Sequence, residues 1–563
     1  MNSSIATDTC RPECRSAVFW SVATVLLILS LALHVWRIDS APPGFNIDES
    51  SNAYNAYCIA RTGADEYGTR FPMFFRCFDD YSHDPVVIYT MAPVVGMFGL
   101  QRWAVRLPSA LFGILASIAF AFLVQQHCRR RWLSLLSGFC FSVIPWLFPA
   151  SRSAVSGYTP LVWEMIMGWL LALVALRKRS CVLAVCAGLL WALPIYTYSL
   201  GRPMSVLTLL CFGLAFVRVL VKRWKVGLAF VFSFTAVTLP LIPIVFHNQA
   251  ALTKRFQDVW IKTAEHPRVG LIVSNFLSRY PDYFSPAFLF FKGDQNLRQH
   301  TGRGGELFVF LAPLVLAGLY CLARFVRSRP CYRFIGLGLV VYPLAAALTP
   351  DRMHSGRCVQ GVVFWLLTAA IGADFLWRRR VMGRAILLAA CCAGVFETGW
   401  YLWDYFGPYQ VRSRSEFQAN IIVALQDCFR AVGDNKTLYI SASTFSPFNM
   451  IPGADFKPYF YIHLLFFGRI DPLTYQHSGI PRDRVLLYDG SITNPGLLLR
   501  CTMSIIPPTE GRTLPLAGAT YIPGNPTYVH NQEPVPPNAT LVETKPVDGP
   551  FPAEVRYEVY EVK

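Results

Sequence analysis

Long apolar runs alternate with short polar and basic segments along residues 16–403. An α-helix needs roughly 20 apolar residues to cross the hydrocarbon core of a bilayer. By this criterion the pattern predicts about eleven membrane spans. They lie near residues 16–36, 105–126, 133–149, 159–176, 180–198, 203–221, 226–246, 306–324, 332–349, 358–376 and 383–403. We therefore predict a polytopic α-helical membrane protein.

The apolar stretch at 85–100 is short for a span and is interrupted by Pro93. If it crossed the membrane, every later basic cluster would move to the outer side, against the positive-inside rule. The clusters lie at 129–131, 177–179, 222–225, 324–333 and 378–380. We therefore predict that 85–100 forms a re-entrant or surface-lying helix on the outer face and that the N-terminus, with Arg11 and Arg15, is cytoplasmic.

The composition changes beyond Gln410, where Pro, Asn, Asp and Gly become more frequent. The predicted elements are a helix at 416–432 and strands at 437–440, 484–488 and 555–562. They indicate a soluble α/β or β-rich domain of roughly 150 residues, which is enough for its own core. We expect a membrane domain at 1–403, with an outer loop at about 37–104, and a non-cytoplasmic soluble domain at 404–563.

The chain carries a formal net charge of +17, although only 15% of its residues are charged. Its basic residues cluster between spans and no nucleic-acid-binding motif accompanies them, so we predict membrane lipids rather than nucleic acid as partners. Most of the 16 cysteines lie inside apolar segments and form no disulfide framework. Cys58 with Cys77, and Cys428 with Cys501, fall in predicted outer regions, and spacing alone leaves their oxidation open.

An acidic pair, Asp48 and Glu49, lies just beyond the first predicted span. Two adjacent carboxylates at a membrane surface can hold a metal, orient a hydroxyl or accept its proton. The alternative is a solvated turn. The pair is the first candidate for catalytic chemistry.

A second polar group in the same loop contains Tyr81, His83 and Asp84. With Asp79 and Asp80, these imidazole and carboxylate groups suit a divalent cation such as Mg²⁺ or Mn²⁺, although no metal site is firmly predicted. Tyr81 can pack or stack on a sugar. A charged turn that caps the helix beginning at residue 85 is the alternative.

Several segments in order along the chain carry a resemblance. They are Asp48-Glu49, Tyr81-Ser82-His83-Asp84-Pro85, Arg106-Leu107-Pro108-Ser109-Ala110-Leu111-Phe112-Gly113, Tyr283-Phe284-Ser285-Pro286, Lys292-Gly293-Asp294 and Gly305-Glu306-Leu307. As an ordered set, over residues 15–375, they resemble GT-C-type glycosyltransferases that use a polyprenyl-phosphate sugar donor. The group includes the protein O-mannosyltransferases, the aminoarabinose transferase of lipid A and bacterial members of glycosyltransferase family 39. Residues 404–563 match no family that we recognise.

The resemblance implies sugar transfer, with inversion, from a polyprenyl-phosphate donor to an acceptor lipid, glycan or protein. It implies a bacterial inner membrane with the active site on the outer side. Asp48 matches the catalytic position and is expected to be the base, with Glu49 orienting the acceptor or the base. His83, Asp84 and Tyr81 are expected to contact substrate, although Asp84 stands where relatives have a proline.

The resemblance also implies cations for the donor phosphate. Arg357 matches an Arg that relatives carry, often after a His, at the outer end of a late span, and His354 precedes it here. Lys292 and Arg298 belong to a second cationic group at 247–305. A guanidinium offers two parallel donors to phosphate oxygens. Interfacial side chains that snorkel are the alternative for all of them.

The loop at 150–158 departs from the resemblance. Relatives carry an Arg followed several residues later by an Asp; Arg152 matches the first, but the next carboxylate is Glu164. Arg152 is expected to bind substrate, and the missing acid implies that the protein positions substrate differently, takes another acceptor or has lost activity. The alternatives are therefore a transporter or flippase, and an inactive scaffold of the same fold. Transporters usually bury ionisable residues within spans and often show repeated halves, whereas this chain concentrates its charges in outer loops and shows no repeat that we detect.

Overall fold

The structure is a computed structural model. It describes residues 12–78, 80–247, 269–349, 351–433, 436–441, 461–480, 485–488, 495–506, 527–530, 535–547 and 555–563. Within these ranges it leaves out the side chains of residues 12–16, 80–82, 247, 269, 271, 487–488, 503–506 and 527–530. The chain divides into two compact units. Unit 1 comprises Met1–Ile38, Ser109–Ser153 and Gly157–Asp404, and unit 2 comprises Asp39–Pro108, Ala154–Ser156 and Tyr405–Lys563.

Every predicted span contains helix. The helices are Pro12–Val35, Arg102–Cys128, Arg131–Ser142, Phe148–Ser151, Tyr158–Lys178, Cys181–Ala192, Pro194–Thr197, Gly201–Lys222, Trp224–Thr238, Leu241–His247, Val309–Leu311, Ala312–Phe325, Pro330–Val341, Leu344–Ala347, Gly361–Trp377 and Arg380–Phe406. The helix within three predicted spans is interrupted near a proline, at 194, 240 or 343. Proline interrupts a helix because it lacks an N–H and clashes with the preceding turn. In the described chain, six helices are long and apolar enough to cross a membrane. The prediction of a polytopic α-helical membrane protein is confirmed.

The helices of unit 1 approach each other closely where a glycine replaces a side chain. A Cβ added to Gly318 would lie 2.0 Å from the carbonyl oxygen of Thr368, and one added to Gly372 would lie 1.9 Å from that of Leu314. Helices Ala312–Phe325 and Gly361–Trp377 therefore pack with almost no space between their backbones. Small residues commonly permit such contacts in membrane bundles.

Unit 2 contains the first loop and the C-terminal segment. Its helices are Ile47–Thr62, Pro85–Phe98, Pro408–Arg412, Ala419–Val432, Tyr461–Phe467 and Pro472–Ser478. Its strands are β1 (Phe75–Cys77), β2 (Asp80–His83), β3 (Thr437–Ser441), β4 (Val485–Tyr488), β5 (Gly496–Cys501), β6 (Met503–Ile506), β7 (Thr527–His530), β8 (Ala539–Pro546) and β9 (Arg556–Val562). β1 pairs with β2, and β6 with β7. The other strands form a mixed five-stranded sheet in the order β4-β3-β5-β9-β8, which confirms the predicted soluble α/β region.

One hydrophobic core joins the first loop to the C-terminal sheet within unit 2. Helix Pro85–Phe98 contributes Val87, Ile88, Met91 and Val95 to this core. Its 14 residues span about 21 Å, which is less than the roughly 30 Å of a bilayer core. The helix is therefore too short to be a full span, as its sequence predicted. Cys58, Cys77, Cys428 and Cys501 are all buried free thiols.

Candidate active site

Helix Ile47–Thr62 carries the predicted acidic pair in its first turn. The Asn46 side chain accepts a hydrogen bond from the Asp48 backbone N–H at 2.9 Å, and the Glu49 carboxylate accepts from the Asn46 N–H at 3.0 Å. This capping box fixes where the helix begins. The preceding turn requires Gly44, whose φ is +64° and whose added Cβ would lie 2.2 Å from the Phe417 carbonyl oxygen. The local sequence thus sets the position of Asp48.

Glu49 is fully buried and its carboxylate is saturated with hydrogen bonds. Arg106 donates from Nε to Oε1 at 2.8 Å and from Nη2 to Oε2 at 2.9 Å. The backbone N–H of Ala154 donates to Oε1 at 3.0 Å, in addition to the bond from Asn46. A buried carboxylate needs this degree of compensation. Glu49 is therefore part of the internal framework of unit 2, and the role at the acceptor that the resemblance implied stays a prediction without support from this geometry.

Arg106 is a residue that sequence reasoning cited only as part of a motif. Besides Glu49, its guanidinium donates to the carbonyl oxygens of Pro42 at 2.9 Å and Gly44 at 3.0 Å. The side chain is fully buried. One feature of the sequence could have indicated its role, namely an arginine at the start of an apolar segment. A guanidinium that becomes buried there requires an anionic partner. Arg106 thus connects helix Arg102–Cys128 to the turn that precedes Asp48.

Asp48 is the member of the acidic pair that reaches the surface, with 25% of its side chain exposed. Its Oδ1 lies 3.8 Å from Nε2 of His83. The Nδ1 atom of His83 lies 2.5 Å from the side-chain oxygen of Asn52. The Asn52 amide nitrogen donates to the Ala154 carbonyl oxygen at 2.9 Å, so the amide is oriented with its oxygen toward the imidazole. His83 therefore donates from Nδ1 and turns Nε2 toward the Asp48 carboxylate.

The remaining residues of the predicted loop group are only partly described. Asp84 is the N-cap residue of helix Pro85–Phe98 and its side chain makes no capping hydrogen bond. The side chains of Tyr81, Asp79 and Asp80 lie outside the described residues. In the part of the chain that the structure describes, no three His, Cys, Asp or Glu side chains are grouped as a metal site.

The C-terminal part of unit 2 holds the helix that carries Asp48. Nδ1 of His463 lies 2.7 Å from the Ser50 hydroxyl, and its Nε2 lies 2.7 Å from the Gln418 side-chain oxygen. The Asn46 amide donates to the Glu416 carbonyl oxygen at 2.8 Å. Sequence reasoning missed His463, because Ser50 and His463 are 413 positions apart. Their contact depends on a domain fold that could not be derived from the sequence.

The buried His463 predicts a pH-dependent stability. Burial lowers the pKa of its imidazole from 6.5 to about 3. Between these values the unfolded chain binds the proton more readily, so stability rises with pH through this window and falls on acidification. We expect acidification from pH 7.5 to 5.5 to remove about 1.4 kcal/mol of unfolding free energy through this residue. Thermal unfolding of the detergent-solubilised proteins at both pH values measures this loss of stability, which should be smaller for His463→Gln than for the wild type. An equal loss in the two proteins would show that His463 is not the source of the pH dependence.

In unit 1, Asp294 links the loop at 292–306 to the turn at 351–358. Its Oδ2 accepts hydrogen bonds from the Ser355 backbone N–H at 2.8 Å and from the Ser355 hydroxyl at 3.0 Å. The same oxygen lies 3.6 Å from Nδ1 of His354. The Asp294 N–H donates to the buried Glu306 carboxylate at 2.8 Å. The structure thus brings together the two segments whose cations were predicted to bind phosphate, and Asp294 is the link that sequence reasoning missed.

The positive charge of the turn at 351–358 comes from its arginines and not from His354. Burial raises the pKa of Asp294 to about 6. Burial, with help from Arg357 and Arg298, lowers the pKa of His354 to about 3, so this imidazole is neutral at pH 7. Nη2 of Arg357 lies 2.8 Å from an Asp351 carboxylate oxygen, whereas Nη1 is buried without a hydrogen-bond partner among the described residues. Lys292 is exposed.

Arg152 has a different environment from the one predicted. Its side chain is buried, and its guanidinium donates to the carbonyl oxygens of Leu33 and Trp36, the second at 2.6 Å. These carbonyls belong to the C-terminal end of helix Pro12–Val35, where unpaired carbonyl groups favour a cation. Arg152 is therefore a helix cap within unit 1, and its predicted contact with substrate has no support in these bonds.

Comparisons with known proteins identify the fold. No protein-family model matches the chain, and no curated protein matches its sequence. The crystal structure of ArnT from Cupriavidus metallidurans bound to undecaprenyl phosphate is similar with a TM-score of 0.53 and 14% identity, over 87% of this chain and 93% of that one. The apo structure of ArnT from the same organism gives a TM-score of 0.51 and 14% identity over 86% and 92%.

The oligosaccharyltransferase AglB from Archaeoglobus fulgidus is 13% identical over 77% of this chain and 63% of that chain, with a TM-score of 0.48. The similarity to ArnT extends over nearly the full length of both chains. The protein described here therefore has a GT-C-type fold.

Proposed function

We propose that this protein is a membrane glycosyltransferase. It transfers a sugar from a polyprenyl-phosphate donor, with inversion, to a lipid, glycan or protein acceptor at the outer side of a bacterial inner membrane. The observation that carries the proposal is the partly exposed Asp48 carboxylate next to His83, in a chain with a GT-C-type fold. The undecaprenyl phosphate bound to the similar ArnT supports the class of donor.

Asp48 acts as the base in the proposed reaction. The acceptor hydroxyl oxygen forms a bond to the anomeric carbon while the bond from that carbon to the phosphate oxygen breaks. The electron pair leaves with the polyprenyl phosphate, and the hydroxyl proton goes to Asp48. A base in hydrogen-bond reach typically contributes roughly 10²–10⁴ in rate. His83 limits the orientations of the carboxylate, since its ring is held by Asn52.

Arg357, with His354, Arg298 and Lys292, binds the donor phosphate in this proposal. The Nη1 atom of Arg357 is buried and has no acceptor among the residues that the structure describes. This supports the role, because such an N–H is costly and a phosphate oxygen would satisfy it. His354 is neutral at pH 7 and contributes as a hydrogen-bonding group. Lys292 and Arg298 add positive charge in the neighbouring loop.

The proposal is tested by offering the purified protein in nanodiscs a panel of polyprenyl-phosphate sugars with lipid, glycan and protein acceptors. We expect release of the polyprenyl phosphate and a glycosylated product from at least one combination. Movement of an intact donor across proteoliposomes without product would instead support a flippase and contradict the proposal.

Arg357→Gln is expected to raise the KM for the donor at least about tenfold, because a hydrogen bond to a charged group contributes about 1.5–3 kcal/mol. Arg327→Gln, at an exposed position after helix Ala312–Phe325, is the matched control and is expected to leave KM unchanged. Initial rates over a range of donor concentrations give the KM of each variant. Equal KM values for the wild type and Arg357→Gln would remove Arg357 from the phosphate site.

A further inference from the structure

A polar cavity lies within unit 2 and contains none of the residues assigned to the reaction. It has a volume of about 650 Å³. It lies where the start of helix Arg102–Cys128 meets helices Ala419–Val432 and Tyr461–Phe467. Its principal side chains are Asp39, Arg102, Phe429, Arg430, Phe467 and Arg469. We call it the arginine cleft.

The arginine cleft is positively charged. Its lining contains three guanidinium groups and one carboxylate, which give a net charge of +2. Arg102 pairs with the carboxylate, since its Nη2 lies 3.0 Å from an oxygen of Asp39. Arg430 lies 2.7 Å from Asp427, whose carboxylate is outside the lining. The cleft therefore suits an anion, and its arginines suit a phosphate, whose oxygens match the parallel N–H groups of a guanidinium.

Arg469 occupies a backbone position that favours glycine. Its φ is +49°, and it is the second residue after the end of helix Tyr461–Phe467. Its backbone N–H donates to the Phe466 carbonyl oxygen at 3.3 Å, and the Ile470 N–H donates to that of Leu465 at 3.1 Å. This is the left-handed helix ending at which glycine is usual. This ending fixes the backbone position from which Arg469 joins the lining of the arginine cleft.

Two residues of the cleft adjoin candidate membrane spans in the sequence, which favours a position near lipid headgroups. Arg102 is the first residue of a helix long and apolar enough to span the membrane. Asp39 closely follows the end of the spanning segment Ala17–Val35. The ends of such helices lie in the interface, where phosphate headgroups concentrate and basic pockets bind them. The rings of Phe429 and Phe467 add apolar surface to the lining.

We propose that the arginine cleft binds the phosphate headgroup of an anionic membrane lipid. Arg430 and Arg469 contact the phosphate oxygens, and Arg102 remains paired with Asp39. The proposal is independent of the transferase reaction, because it uses none of the residues assigned to donor or acceptor.

The test compares binding of fluorescent phosphatidylglycerol and fluorescent phosphatidylcholine to the protein in neutral detergent micelles. Arg430→Gln/Arg469→Gln is the cleft variant. Lys436→Gln/Arg556→Gln is the matched control, since both of its residues lie in unit 2, form ion pairs and are 42% and 49% exposed. We expect phosphatidylglycerol to bind more tightly than phosphatidylcholine and the cleft variant to lose at least about tenfold in affinity for it. The control should lose less than about twofold.

Two results would overturn the proposal. Equal losses in both double variants would mean that net charge, and not the cleft, attracts the lipid. Competition by glycerol 1-phosphate or inorganic phosphate at the concentration at which phosphatidylglycerol binds would mean that the ligand is a soluble phosphate. If the double variant fails to fold, Arg430→Gln alone keeps the test valid, because that side chain is 75% exposed.

Discussion

Asp48→Asn is expected to lower the rate of sugar transfer by at least about a hundredfold and to leave the fold intact. An amide has nearly the shape of the carboxylate but cannot accept the acceptor's proton. The side chain of Asp48 is 25% exposed, and the helix cap uses its backbone N–H, which the substitution retains. The loss of one negative charge near a helix N-terminus changes stability by only about 0.3–1 kcal/mol.

The measurement is release of polyprenyl phosphate in single-turnover reactions, so that product dissociation does not mask the chemical step. Glu561→Gln is the matched control, because it neutralises an acid of unit 2 that is 41% exposed. We expect the control to react at the wild-type rate. An Asp48→Asn protein that keeps at least about a third of the wild-type rate would show that the base is another group.

Arg106→Met is expected to lower the free energy of unfolding by about 3–5 kcal/mol. The substitution leaves the Glu49 carboxylate fully buried with only its two backbone N–H donors. It also removes the donors to Pro42 and Gly44, which precede the helix that carries Asp48. We therefore expect transfer activity to fall together with stability.

Thermal unfolding in detergent measures the loss of stability. Two further variants test whether the loss comes from the buried pair of Glu49 and Arg106. Arg102→Met, in the same helix, breaks an ion pair whose two side chains are 20% and 48% exposed; such a pair contributes about 0–1 kcal/mol. Adding Glu49→Gln to Arg106→Met removes the uncompensated charge and should recover at least about 1 kcal/mol. An Arg106→Met protein no less stable than Arg102→Met would contradict the role assigned to the buried pair.

The membrane region and the capped acidic helix could be predicted because both depend on neighbouring residues. Each predicted span required only an uninterrupted apolar run, and the structure has helix in all of them. Helix Ala419–Val432 and strands β3, β4 and β9 also appear within a few residues of their predicted positions. The start of helix Ile47–Thr62 is likewise set by a four-residue capping pattern.

The pairing of distant polar groups could not be predicted. The sequence did not indicate that Glu49 and Arg106 pair with each other in the core of unit 2, and the predicted role of Glu49 in catalysis stays a prediction. Arg152 caps a helix, a contact that its sequence position did not indicate, and its predicted contact with substrate stays a prediction. Asp294 and His463 each join segments that are distant in sequence, and their partners depend on chain packing. Residue type indicated that such groups needed partners, but only the tertiary structure identifies them.

The contact between Ser50 and His463 sets the order of events during biosynthesis. The two residues are 413 positions apart, so at a synthesis rate of about 5–20 residues per second His463 is added about 20–80 s after Ser50. Throughout this interval the first loop has no C-terminal partner for helix Ile47–Thr62. Helix Ile47–Thr62 therefore acquires its contact with His463 only after the polypeptide has been synthesised past helix Arg380–Phe406.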